Sequence, residues 1–269
     1  MARLKLLLLN LAQAIFLGTW SIVWISAALV VSVFSSEIPL VMARRFWAPG
    51  LIWAARSPVE QLPGARLDPR GPYVFIMNHQ SMYDIVVAFA CIPVNLRFVA
   101  KKILKSIPFL GWYMWRTRMV FVDRRRRSQA LTSLQQAGKQ VREGASILAY
   151  PEGTRSIGGE ILPFKKGPLV VAIAAGVPIV PVAIDGSHRM LPRGGFNLRP
   201  QSIRLKIGEP IPTKGLTQSD LDGLIRRVRE AVIDLHLDIG GQGGDREDAI
   251  ALPGEEGIGS ARRKPSRAA

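Results

Sequence analysis

The sequence predicts an α/β fold, a mostly parallel sheet flanked by helices, with an N-terminal membrane-embedded helical segment. Three observations lead there. Short apolar runs alternate with longer helix-period stretches between residues 73 and 207, the pattern of successive strand–helix–strand units. Several runs, Tyr73–Met77 and Pro178–Ile184 above all, have no polar face, which suits strands buried on both sides of a parallel sheet. From Leu6 to Ser36 the chain carries no charge at all, and about 20 apolar residues suffice to cross a bilayer.

The opening segment is too long for a removed signal peptide, and no small-residue cleavage site closes it. Two geometries fit it. One is a single tilted span; the other is a hairpin of two shorter helices dipping into one leaflet, broken near Gly18 to Ser21. The hairpin is the choice made here. Arg3 and Lys5 share the sign of Arg44, Arg45 and Arg56 beyond the segment, and positive charge keeps to the cytoplasmic side. Trp20, Trp24, Trp47 and Trp53 suit an interfacial belt. Residues 1–57 are read as the anchor, 58–239 as one globular domain, and the Gly-rich, charge-balanced stretch 240–269 as a disordered tail.

Pro, Gly and charge between 58 and 72 mark a linker into the body. Strands are expected at 73–77, 96–100, 119–122 and 146–150, then at 178–184, with 203–207 as a sheet-edge strand. Helices are expected around 109–116, at 128–142 and at 167–175. A last helix is capped by Thr217, with Leu221, Leu224, Ile225, Val228, Val232 and Leu235 on one face.

The formal net charge is +16. Before residue 37 only Arg3 and Lys5 are charged, and the tail from Gly240 holds five basic and five acidic residues, so the excess lies on the body. A basic body attracts anionic membrane, phosphorylated substrates, acidic carrier proteins or nucleic acid. Nucleic acid is set aside because aromatic residues are not interleaved with the basic runs. The single cysteine, Cys91, excludes an internal disulfide and fits a reducing compartment. No G-x-S-x-G elbow, Walker loop or dinucleotide fingerprint occurs. Three scattered histidines make no metal site, and no cofactor is expected.

Chemistry concentrates where predicted strands end. After the first comes Asn78-His79-Gln80-Ser81-Met82-Tyr83-Asp84; after the next, Lys101 and Lys102; after the third, Asp123-Arg124; after the fourth, Glu152-Gly153-Thr154-Arg155. In a parallel sheet these ends share one edge, where α/β proteins bind ligands. With His79 just before a helix and Asp84 in its second turn, the carboxylate can orient one ring nitrogen and leave the other as a base. Gly153 lets the backbone approach an anion, and Arg155 can grip phosphate with two bonds. Of the run Arg124–Arg127, Arg124 is assigned to the site and the others to the surface. His188 is taken as a loop residue.

The box Asn78–Asp84 resembles the NHxSxxD motif of the lysophospholipid and glycerolphosphate acyltransferases. Phe121–Arg124 resembles their second motif, Tyr150–Ser156 their [FY]PEGTRS motif, and Val177–Val182 their VPIVPV strand. The four occur in family order over about 58–215. Phe98–Lys102 with Pro108 and Gly111 looks like the branch that acylates 1-acylglycerol 3-phosphate. The resemblance implies an O-acyltransferase with His79 as general base and Asp84 as its orienting carboxylate. Lys101, Arg124 and Arg155 would hold the substrate phosphate beside Gly153 and Thr154, and Glu152 would orient the arginines or the hydroxyl. It further implies acyl-CoA or acyl carrier protein as co-substrate. The expected partner is a bilayer that supplies the lipid, with the active site expected to face the cytoplasm at a bacterial inner membrane. The alternatives are another acceptor, such as a lyso-ornithine lipid or glycerol 3-phosphate, and a catalytically silent, basic membrane-binding module. The oligomeric state is left open.

Overall fold

The computed structural model describes residues 2–123, 127–194, 197–247 and 249–250. Its strands are β1 (Val59–Gln61), β2 (Val74–Met77), β3 (Leu96–Lys101), β4 (Val120–Val122), β5 (Ser146–Ala149), β6 (Ile179–Asp185) and β7 (Ile203–Ile207). They form one sheet in the order β1-β7-β6-β2-β5-β3-β4. From β6 to β4 every pairing is parallel; β7 runs antiparallel to β6, and β1 follows β7 in parallel. The expected edge strand is therefore one place in from the edge. β1 takes the edge, drawn from the stretch read as linker, and three residues are too few to show alternation.

Successive β2 side chains leave on opposite faces. Phe75 and Met77 enter one core, with Leu148, Val180 and Val182. Val74 and Ile76 enter the other, with Ile147 and Ile179. The second core is covered by α6 (Arg127–Arg142), α7 (Gly167–Ala175) and α9 (Leu221–Asp238). A reciprocal Thr217–Asp220 capping box leads into α9. The first core is covered by α1 (Ala2–Val31), α2 (Ile38–Met42), α3 (Ala48–Ala55), α4 (Asp84–Cys91) and α5 (Leu110–Arg116). A wide π turn, Ala43–Trp47, joins α2 to α3, just before Pro49 withholds a backbone donor.

α1 is one continuous helix, so the break expected near Gly18 is absent; a lone helical glycine costs only about 1 kcal/mol. Over Leu8–Val31 it is long and apolar enough to cross a membrane. A hairpin does form, but its turn lies at 32–37, where Ser35 Oγ accepts the Glu37 and Ile38 N–H groups. The return limb runs back antiparallel. Gln13 Nε2 donates to Ala54 O (3.0 Å), and Trp20 Nε1 to Trp47 O (3.1 Å). A Cβ on Gly50 would stand 2.5 Å from the Trp20 ring, so glycine permits the close crossing. Ala28, Leu40 and Ala48 share their core with the sheet; the 1–57 segment packs as part of the body.

The expected disordered tail does not begin at Gly240. Ala249 is buried, Ile161 N–H donates to Gly243 O, and Ile250 bridges to Phe164. Glycine there allows close passage over the His236 ring where composition alone reads as disorder. Residues 251–269 lie outside the described residues.

Candidate active site

β2 is central, and the loop after it is held from several sides. Asn78 extends the sheet by side chain: Nδ2 donates to Ile184 O and Oδ1 accepts Ile184 N–H, both at 2.9 Å. His79 N–H donates to Glu152 Oε1 (2.8 Å), and His79 O accepts the Ser156 N–H (2.8 Å). These ties fix where the imidazole leaves the chain.

Asp84 is the first residue of α4, a turn earlier than expected, and its carboxylate points back over the loop. Oδ2 accepts His79 Nδ1–H (2.8 Å) and the N–H groups of Gln80 (2.7 Å) and Ser81 (2.9 Å). Oδ1 accepts the Ser187 hydroxyl, on the short helix α8 (Ser187–Met190). The Asp84 side chain is 0% exposed, and a buried carboxylate is tolerable only when hydrogen-bonded this fully. A carboxylate can only accept, so in the neutral His79 ring the proton sits on Nδ1 and Nε2 carries the lone pair. Among the described residues none bonds Nε2. The ring lies against Tyr150, centroids 3.9 Å apart and 18° from parallel. Burial, helped by the charge of Asp84, pushes the Tyr150 phenol well above its ordinary value.

Glu152 behaves differently from expectation. Its oxygens accept the backbone N–H groups of His79 and Leu162 (3.3 Å), so it fastens two loops and bonds neither arginine nor hydroxyl among the described residues. Burial pushes its carboxyl well above the usual carboxylate range; the two backbone donors pull it down, and Asp84 and Glu160 add to the push. Gly153 sits at φ 75°, in the left-handed region that favours glycine, and closes a turn onto Tyr150 O. Beyond that turn, it lines the cavity that His79 also lines. Thr154 and Arg155 are half-buried and line a cavity shared with His79. The Arg155 guanidinium has no ion-pair partner among the described residues, while its carbonyl accepts Arg193 Nη1 (3.2 Å). Lys101, at the end of β3, is exposed and lines the same cavity. Lys102 lies 3.8 Å from Asp123. Arg124 lies outside the described residues.

The cavity holds about 520 Å³, inside the range usual for small-molecule sites. His79, Lys101 and Arg155 mark its polar end, and Trp24, Ala28, Met42, Phe89, Tyr113 and Met114 wall the rest. Sequence reasoning missed this cavity and Ser187. The stretch Asp185–His188 drew notice only for its histidine, which reaches the site indirectly: His188 Nδ1 meets Gln80 Oε1 at 3.0 Å, and burial lowers its pKa. Nothing local in the sequence marks Ser187 as a partner for Asp84.

This arrangement supplies an oriented base, cations without ion-pair partners among the described residues (Lys101 and Arg155) and an apolar chamber on one rim. An acyltransferase family model matches residues 59–185. The 1-acyl-sn-glycerol-3-phosphate acyltransferase of Saccharomyces cerevisiae is 36% identical over 173 residues, 63% of this chain and 57% of the yeast protein. The human 1-acyl-sn-glycerol-3-phosphate acyltransferase beta is 32% identical over 191 residues, 71% of this chain and 66% of the human one. The chain thus spans less than two thirds of the length of either relative. The crystal structure of PlsC, the 1-acyl-sn-glycerophosphate acyltransferase from Thermotoga maritima, matches with a TM-score of 0.74 at 27% identity, covering 88% of this chain and 97% of that one. The two chains share the mostly parallel sheet with its flanking helices. By motif, family match and structural likeness together, residues 59–185 carry an acyltransferase-family domain, and the chain as a whole is similar to the 1-acyl-sn-glycerol-3-phosphate acyltransferases.

Proposed function

We propose that this protein is a membrane-associated O-acyltransferase. It moves a fatty acyl group from acyl-CoA or acyl carrier protein to the sn-2 hydroxyl of 1-acylglycerol 3-phosphate, giving phosphatidic acid. The observation that carries the reading is the His79–Asp84 pair on the wall of an apolar cavity whose polar end holds Lys101 and Arg155. His79 Nε2 takes the proton of the sn-2 hydroxyl as that oxygen attacks the thioester carbonyl. The tetrahedral adduct collapses, the carbon–sulfur bond breaks, and the imidazolium returns its proton to the leaving thiolate. Asp84 holds the ring and offsets its transient charge. Lys101 and Arg155 receive the acceptor phosphate, and the cavity houses acyl chain.

α1 supports a one-leaflet anchor. It is tied to the body from Asn10, bonded to Asn197, through Gln13 and Ser21 to Ser32, bonded to Arg116. A helix fastened along its length to a globular domain lies beside that domain and does not run away from it across the bilayer. The basic body then faces the cytoplasm. The deciding assay is thiol release from acyl-CoA with and without 1-acylglycerol 3-phosphate, beside a panel of other lyso-lipids. Acceptor-dependent release is expected, with 1-acylglycerol 3-phosphate preferred. Release with another acceptor only would reassign the substrate, and none with any acceptor or thioester donor would sink the reading.

A further inference from the structure

We infer that residues 102–116 form a second membrane-contact element, seated in an anionic phospholipid surface beside α1; this rests on the membrane reading of α1 given above. The segment is a 3₁₀ turn, Lys102–Ser106, followed by α5. Its inner side chains, Leu104, Leu110, Tyr113 and Met114, wall the cavity. Its outer ones are large, apolar and uncovered: Ile103 is 69% exposed, Ile107 42%, Phe109 47%, Trp112 55% and Trp115 57%. Trp112 and Trp115 are three apart on one helix, so they share a face, and the Phe109 and Trp112 rings are 5.4 Å apart. An apolar ridge of this kind on a protein surface marks a contact site.

The backbone adds an independent sign. Phe109 has φ 61° and ψ −58°, a costly conformation for a bulky residue and one that persists where the surroundings enforce it. Here Gly111 is wedged on Lys105 O, where a Cβ would have no room. The core gains little from this strain, because the Phe109 side chain it presents is half outside.

Position and charge choose the occupant. Arg116 bonds Ser32 at the end of α1, where Val33 and Phe34 are also exposed, so the ridge continues the apolar surface of the anchor. Lys101, Lys102, Lys105 and Arg116 flank it, and residues 101–116 contain no acidic side chain. An exposed aromatic face with cations at its two ends fits the interface of an anionic bilayer. A second copy of the chain would bring the same cations face to face.

The test uses the full chain with Trp112→Cys, labelled with an environment-sensitive dye and reconstituted into phosphatidylcholine vesicles with phosphatidylglycerol. Cys91 is half-buried and its thiol is pushed up to about 11 by burial, which leaves the dye to the new site. Gln218→Cys, on the exposed turn before α9, is the control. The expected result is a blue shift at 112, loss of iodide access and quenching by doxyl-labelled lipid, all absent at 218 and weaker without phosphatidylglycerol. Equal iodide access at both positions in vesicle-bound protein would overturn the proposal. So would shielding at 112 without lipid quenching, accompanied by 112–112 cross-linking, since a second copy would then cover the ridge. Equal lipid quenching without phosphatidylglycerol would overturn the anionic assignment. Failure of the whole chain to bind vesicles would instead count against α1 as an anchor, and no arm depends on turnover.

Discussion

The turns after β2 and β5 are neighbours on one sheet edge, yet they are fastened to opposite degrees. After β2, both Asp84 oxygens are bonded, the His79 ring has one nitrogen held and a flat partner, and Asn78 is locked into β6. After β5, Glu152 and Gly153 hold the backbone, but Arg155 beyond them has no ion-pair partner among the described residues. The difference teaches how the work is divided. Atoms that must meet at bonding distance are fixed before substrate arrives. On the proposed mechanism, the cation assigned to the substrate phosphate is left for the ligand to complete.

The largest break should come at the fixed turn. His79→Ala is expected to lower turnover on the order of a hundredfold or more, the usual scale for removing a general base. The melting temperature should change little, because the ring faces the cavity. Thiol-release kinetics beside a thermal melt check this, and near-wild-type turnover would refute the assigned base.

Arg155→Lys probes the turn left open. It keeps the charge but loses the planar fork that matches phosphate. Charge-assisted bonds contribute about 1.5–3 kcal/mol each, so roughly ten- to a hundredfold in kcat/KM should go. The loss should shrink with an acceptor lacking phosphate, and the fold should hold. Equal losses for both acceptors with a lowered melting point would make Arg155 a structural residue, and the contrast between the turns would fail.

Ser187→Ala should cost less, about tenfold in kcat, because one charged-acceptor bond is lost while three remain. KM should stay near its original value, and Ser187→Thr should recover much of the rate by restoring the hydroxyl. A raised KM with intact kcat would show that Ser187 serves binding.

The smallest effect is a slope. The Glu152 carboxyl is held well above 4.5 in the fold by burial. As pH rises past 4.5 the unfolded chain loses this proton first, so folding stability declines until the folded group ionises. Glu152→Gln removes that contribution and should flatten melting temperature against pH above 4.5. Identical slopes in the two proteins would mean the carboxylate is ionised in place.

What was legible in the sequence follows range. The strands that carry the site, and His79 with Asp84 five residues apart, announce themselves through local pattern: an apolar run, then a polar loop, then a helix. Ser187 meets Asp84 across 103 residues, and its one hydroxyl leaves no periodic trace. Glu152 was recognised in its motif but its partners were not, because its bonds go to backbone N–H groups that every residue except proline possesses. The cavity was invisible for another reason. Its walls come from α1, α4, α5 and the π turn, and each contributes residues that read singly as core. β1 was missed because three residues inside a Pro- and Gly-rich stretch cannot display a period.

The first helix has a consequence for how such a protein can change. Trp24, Ile25 and Ala28 of α1 line the chamber, and the outward side of the same helix, at Ile22, Val23 and Val30, is bare apolar surface. On the proposed reading, membrane residence and acyl selectivity are therefore inherited together. A lineage that re-tilted or shifted this helix to sit at another depth in the leaflet would reshape the chamber in the same step. Trimming it away to obtain a soluble enzyme would uncover the core around Leu40 and Ala48. A soluble version has to be made by repainting the outward side while leaving the inward side untouched.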